Sequence, residues 1–216
     1  MQIAIPIFDR FTALDAVGPY EVLSRLPGAR VTFIASRPGV VRTDNGMLGL
    51  EAEASLADLP APDVVVVPGG LGTRTLLDDE EMLGWLRAAH ARSTWTTSVC
   101  TGSLLLAAAG LLEGVEATTH WAAAETLERL GARYTPRRVV REGKLWTAAG
   151  VSAGIDMGLE LAAAIAGDDV AQVIQLYIEY DPQPPFDSGS PAKATPRVMS
   201  IAREVGRTEQ VPDPTR

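Results

Sequence analysis

Apolar and polar positions along the chain change period repeatedly, and the changes predict alternating strands and helices. QIAIPI (2–7) is a short apolar run that predicts a buried strand. Residues 9–17 read as a loop ending in LDAVGP. Pro19 then fits the first position of a helix, which YEVLSRL continues until Gly28 stops it. VTFIAS (31–36) predicts the second strand. The polar, Gly-rich stretch after it predicts short strands, with turns at Pro38-Gly39 and Asn45-Gly46. VVVVP (64–68) has no polar interruption, as expected of a strand buried on both faces of a helix-covered parallel sheet. Gly69 and Gly70 end it. Residues 78–91 predict a helix that is acidic in its first turn, as the helix dipole favours.

STWTTSV (93–99) predicts another strand, and Cys100-Thr101-Gly102 follow it without a spacer. SLLLAAAGLL (103–112) is then an apolar helix ended by Gly114. ATTH (117–120) is a short strand or turn, WAAAETLERLGA a helix closed at Gly131, and RRVVREGKLWTAA a hairpin around Glu142-Gly143. Gly150 and Gly154 bracket the entry to a long helix, GIDMGLELAAAIAG. DDVAQVIQLYIEY adds a helix, and DPQPPFDSGSPAKATP an extended Pro-rich arm. This alternation predicts an α/β fold: a doubly wound, mostly parallel sheet with helices on both faces. One domain is expected over residues 1–190, with a helical or extended tail over 191–216.

Composition narrows the function. The chain has 216 residues, 46% hydrophobic and 21% charged, which suits one substantial core. A formal net charge of -8 opposes binding to nucleic acid phosphates. The apolar runs are far shorter than the roughly 20 residues that cross a bilayer. The start lacks a basic region and a small-residue cleavage site, so no signal peptide is expected. One cysteine forms no internal disulfide, and a cytoplasmic protein is expected.

In doubly wound sheets, ligands collect at the carboxyl ends of the strands. Asp15, Gly69-Gly70 and Cys100 all fall there. Cys100 has two competing roles. A lone cysteine is commonly an inert, buried small hydrophobe. At a tight strand-to-helix elbow, however, its side chain points out of the sheet top, and Gly102 and Ser103 supply the small neighbours such a turn needs. The start of the following helix is expected to favour the thiolate, which is the nucleophilic form. The Thr101 amide, with one from Gly69 or Gly70, is a candidate oxyanion site, and Gly150 is a further candidate substrate contact. Asp15 is either a helix cap or, facing a thiolate, a carboxyl of raised pKa suited to general acid/base work.

The chain has two histidines, His90 and His120. His90 is expected to be a surface residue and His120 a structural one. A Cys-His-Glu triad has no evident histidine. No metal site is expected, because two separated histidines and one cysteine lack ligand spacing. The glycines match neither nucleotide-binding pattern, so nucleotide binding gains no support.

LDAVGPYEVL, VVVVPGG, TTSVCTGSLLLAAAGLL, ATTHWA and a late G-x-x-AGID resemble the DJ-1/PfpI superfamily from residue 2 to about 190. The Cys-Thr-Gly elbow, ATTHWA and PPFDSGSP look most like its isocyanide hydratase branch. Amidase-like domains of AraC-type transcription regulators carry nearly the same elbow and TTHW. The hydratase resemblance implies conversion of an isocyanide to an N-substituted formamide through a thioimidate on Cys100. It implies that Asp15 manages the proton, that Thr101 matters for activity, that no cofactor is needed, and that the protein is a homodimer to which the arm at 181–191 contributes. PfpI-type proteases place a histidine directly after the cysteine, where this chain has Thr101, which disfavours proteolysis. DJ-1-like deglycase and glyoxalase members use a glutamate near the cysteine, where this chain offers Asp15. Two alternatives remain beside the hydratase: a ligand-sensing module like the regulator domain, and a stress protein in which Cys100 is oxidised reversibly.

Overall fold

The structure, a computed structural model, describes residues 1–209. Two compact units divide the chain, Met1–Tyr180 and Asp181–Arg216.

The first unit begins with strand β1 (Gln2–Pro6), helix α1 (Ala13–Leu23) and β2 (Arg30–Ala35). The short strands β3 (Gly39–Arg42), β4 (Gly49–Ala52) and β5 (Ala54–Ser55) follow. After them come β6 (Val64–Val67), a 3-10 turn (Leu71–Thr75), α2 (Glu80–Arg92), β7 (Trp95–Val99) and α3 (Gly102–Ala108). Next are β8 (Glu116–Ala117), a 3-10 turn (Trp121–Ala123), α4 (Ala124–Arg129) and β9 (Arg133–Tyr134). The unit closes with β10 (Val139–Glu142), β11 (Leu145–Ala148), α5 (Ala153–Ala166) and α6 (Asp168–Tyr177).

The main sheet has seven strands in the order β10-β11-β7-β6-β1-β2-β5. Every pairing in it is parallel except β10 with β11, the expected hairpin. The four valines of β6 are fully buried, as the uninterrupted run predicts. From β1 the chain moves through α1 to β2 on one side, whereas β6 pairs on the other side of β1 and leads through α2 to β7. Right-handed crossovers therefore place α1 and α2 on opposite faces. The order reverses between β1 and β6, which opens a crevice at their carboxyl ends.

Two helices differ from the sequence expectation. α1 begins at Ala13, so Pro19 lies inside it and Asp15 in its first turn. The Gly-Pro pair reads locally as a stop. Yet Pro19 and Gly18 are the residues of α1 against which α5 closes: a Cβ on Gly154 would lie 3.1 Å from the Pro19 ring, and one on Gly18 3.2 Å from Ile155. The packing of α1 on α5 outweighs the one helical hydrogen bond that proline cannot donate. α3 ends at Ala108, earlier than Gly114. Gly110 takes φ +79°, its amide bonds Ala107 O, and the Leu111 amide bonds Leu106 O, which is a Schellman closure.

In the second unit, residues 181–195 carry turns only, consistent with the predicted arm, and α7 spans Pro196–Glu209. Among the described residues, no helix is long and apolar enough to cross a membrane.

Candidate active site

Cys100 follows β7 at φ +57°, a left-handed conformation that costs a non-glycine residue about 1–2 kcal/mol. Four contacts hold it there. Its amide donates to both Ala148 O and Ala149 O at 3.0 Å. Its carbonyl accepts from Ser103 Oγ at 3.1 Å and from Thr119 Oγ1 at 3.0 Å. The sequence brings out the elbow but not Thr119, whose only signal is the unexplained Thr pair before His120.

The crevice assembles Asp15, Gly69, Gly70, Thr101 and Cys100. Asp15 is fully buried in the first turn of α1, and its Oδ2 accepts the Gly69 amide at 2.9 Å. Its other oxygen, Oδ1, is buried without a hydrogen-bond partner. The Asp15 carboxyl and the Cys100 thiol interact directly. Thr101 Oγ1 accepts the Gly70 amide at 2.9 Å and donates to Gly70 O at 3.2 Å. Both glycine amides are thus engaged, and neither is free to receive an oxyanion. Their place in the site is to hold Asp15 and Thr101. A cap role for Asp15 at Pro19 falls away as well, because the helix already contains it.

No side chain fits at Gly69. A Cβ there would lie 2.5 Å from Thr101 N and 2.8 Å from Asp15 Oδ2. Overpacking of this kind costs about 1–3 kcal/mol. Gly69→Ala is therefore expected to lower the melting temperature by about 3–10 °C, as thermal denaturation would record. An unchanged melting temperature would contradict the packing described.

Electrostatics couple the two reactive groups. Burial is the main cause that pushes the Asp15 carboxyl up to about 7; the nearby Asp44 adds to it, and the Gly69 amide and Cys100 thiol oppose it. Burial also pushes the Cys100 thiol up, followed by the Asp15 carboxylate, while the Val151 and Thr101 amides work the other way. The expected lowering of the thiol by the helix start is overturned. Cys100 is 5% exposed, and α3 is too short, at seven residues, to outweigh the loss of hydration. The thiol is protonated at rest, and the pair loses its first proton near neutrality.

Gly150 lies against His120, whose Cδ2 would be 2.8 Å from a Cβ at that position. His120 Nδ1 accepts the Ala122 amide at 3.3 Å, so the proton resides on Nε2, and burial, helped by Arg74, depresses its basicity. The imidazole thus stands beside the turn that follows β11. His90 is not a plain surface residue. The end of α2 packs over the start of β7, and His90 Nδ1 bonds Thr96 Oγ1 at 2.9 Å. Among the described residues, no group of three or more His, Cys, Asp or Glu side chains is placed to hold a metal ion. A cavity of about 420 Å³ lies elsewhere, between the carboxyl ends of β1 and β2 and the start of α2, and no residue of the Cys100 cluster lines it.

A mostly parallel α/β sheet with a left-handed cysteine at the end of a central strand defines a class. The chain belongs to the DJ-1/PfpI family, which it matches over residues 1–164. Within that family it is 46% identical over 204 residues to isonitrile hydratase of Pseudomonas putida, covering 94% of this chain and 89% of the relative. The crystal structure of a ThiJ/PfpI family protein from Pseudomonas syringae superposes with a TM-score of 0.92 at 37% identity, over 97% of this chain and 87% of that one. The HTH-type transcriptional regulator CdhR of Pseudomonas aeruginosa is 29% identical over 81% of this chain, which spans 53% of the regulator's length.

Proposed function

We propose that this protein is a lyase that hydrates an isocyanide, R–N≡C, to an N-substituted formamide through a thioimidate on Cys100. The observation that carries the reading is the buried pairing of Asp15 with the Cys100 thiol in a close homologue of an isonitrile hydratase. The Asp15 carboxylate takes the thiol proton as sulfur bonds to the terminal carbon. The electron pair of the broken C–N π bond moves to nitrogen, and the carbon's own lone pair takes the proton back from Asp15, which gives R–N=CH–S. Water then adds across C=N, oxygen to carbon and proton to nitrogen. The C–S bond breaks, the new hydroxyl returns its proton through Asp15 to sulfur, and R–NH–CHO leaves. One water is consumed, and the thiol and carboxyl are restored, so the sequence needs no cofactor. Thr101, pinned on the Gly70 peptide, fixes the elbow against the strand that carries Gly69. A cytoplasmic homodimer is part of the same proposal.

Incubation with a simple alkyl isocyanide tests it, with the formyl proton followed by NMR. Stoichiometric conversion to the formamide is expected. Its absence overturns the reading and favours the ligand-sensing alternative, on the side of which stands the likeness to half of a transcription regulator.

A further inference from the structure

The turn from Ala149 to Ser152 carries two contacts to the nucleophile. Ala149 O accepts the Cys100 amide at 3.0 Å, and the Val151 amide interacts with the Cys100 thiol. Between them Val151 stands at φ +36°, a region that β-branched residues avoid. Strained backbone persists only where its surroundings hold it. Arg138, just before β10, grips both ends of this turn. Its carbonyl oxygen accepts the Ala149 amide at 2.9 Å. Its guanidinium donates to Ser152 Oγ at 3.2 Å and, through Nε, to Asp156 Oδ2 in the first turn of α5. Tyr180 donates its hydroxyl proton to the second oxygen of that carboxylate, Oδ1, at 3.1 Å. The elements that enter and leave the turn are thereby tied to one residue outside the crevice.

We propose that Arg138 is a positioning residue for Cys100: with Asp156 and Tyr180 it holds the Ala149–Ser152 turn in the form that keeps the Val151 amide on the sulfur. An isolated exposed ion pair has little effect. The planar guanidinium does more, because one rigid fork spans Ser152 and Asp156 while the carbonyl of the same residue fixes Ala149. The inference concerns the thiol and not its substrate, so it stands or falls separately from the hydratase reading.

The test is the pH dependence of Cys100 alkylation by iodoacetamide. Asp15 is the titratable side chain that acts on this thiol, and Asp156 and Tyr180 are the groups that act with Arg138. Arg138→Met keeps the carbonyl and the aliphatic stem. The alkylation rate at pH 7 is expected to fall about fivefold to tenfold, the effect of losing one ordinary hydrogen bond, and the midpoint to move up. Arg138→Lys is expected to recover part of the rate. An unchanged rate and midpoint in Arg138→Met, whether or not the melting temperature falls, overturns the proposal. Should that variant fail to fold, Asp156→Asn, which keeps the shape of its side chain, is read by the same assay with the same two outcomes.

Discussion

Cys100→Ala is expected to remove formamide production entirely, a loss of about 10⁴-fold or more, because a covalent route without its nucleophile retains only the catalysis that binding and polar contacts supply. The fold is expected to survive. The alanine keeps the left-handed elbow at the same backbone cost, and the missing sulfur leaves only a small gap in a buried site. Cys100→Ser is expected to be nearly as inactive. A carboxylate whose pKa lies near 7 is too weak a base for a buried hydroxyl, which is a far weaker acid than the thiol it replaces. Intact mass spectrometry separates chemistry from binding. The wild-type protein should gain the mass of the isocyanide on Cys100 when quenched during turnover, and neither variant should. More than a few per cent of wild-type turnover in Cys100→Ala would remove the covalent mechanism.

The parts of this site that can be read in the sequence are those fixed by local pattern. The four valines announce a central strand, and a cysteine between a β-rich run and a small, apolar helix announces the elbow. What cannot be read depends on contacts between distant segments. Gly18-Pro19 reads as a helix stop because the closeness of α5 is invisible in the local chain, and Asp15 reads as a loop residue for that reason. The direction in which the Cys100 thiol moves is hidden in a similar way: a helix start is visible in sequence, but burial to 5% exposure is not, and burial is the larger effect. Gly69 and Gly70 are recognisable as close-approach positions. Which partners their amides take is settled by Asp15 and Thr101, 54 and 31 residues away. Val151 and Arg138 carry no local signal, since an Arg before a strand and a Val after a Gly are ordinary.

Asp15→Asn is expected to separate stability from activity. Folding raises this carboxyl from 3.8 to about 7, so the native state holds its proton more tightly than the unfolded chain. The stability tied to the protonated form is fully present below pH 3.8 and is lost as pH rises through about 7. At pH 8 the buried carboxylate costs on the order of 4 kcal/mol, since each tenfold gain in proton affinity corresponds to about 1.36 kcal/mol. Asparagine carries no charge, and its amide oxygen still accepts the Gly69 amide. Its new NH₂ group has no evident acceptor, which returns about 1–3 kcal/mol of the gain. The balance at pH 8 is a rise in melting temperature of a few degrees, about 2–4 °C per kcal/mol at this size, with none at pH 4. Activity moves the other way. Loss of the base is expected to lower kcat/KM by about 10²–10⁴. In the wild-type protein kcat/KM should rise with pH through about 7, because Asp15 must be ionised to take the thiol proton. In Asp15→Asn that limb should vanish, leaving a weak rate that grows only in strong alkali, where the thiol ionises unaided. A variant that is no more stable at pH 8 and still active would show that the buried carboxyl serves neither as base nor as proton store.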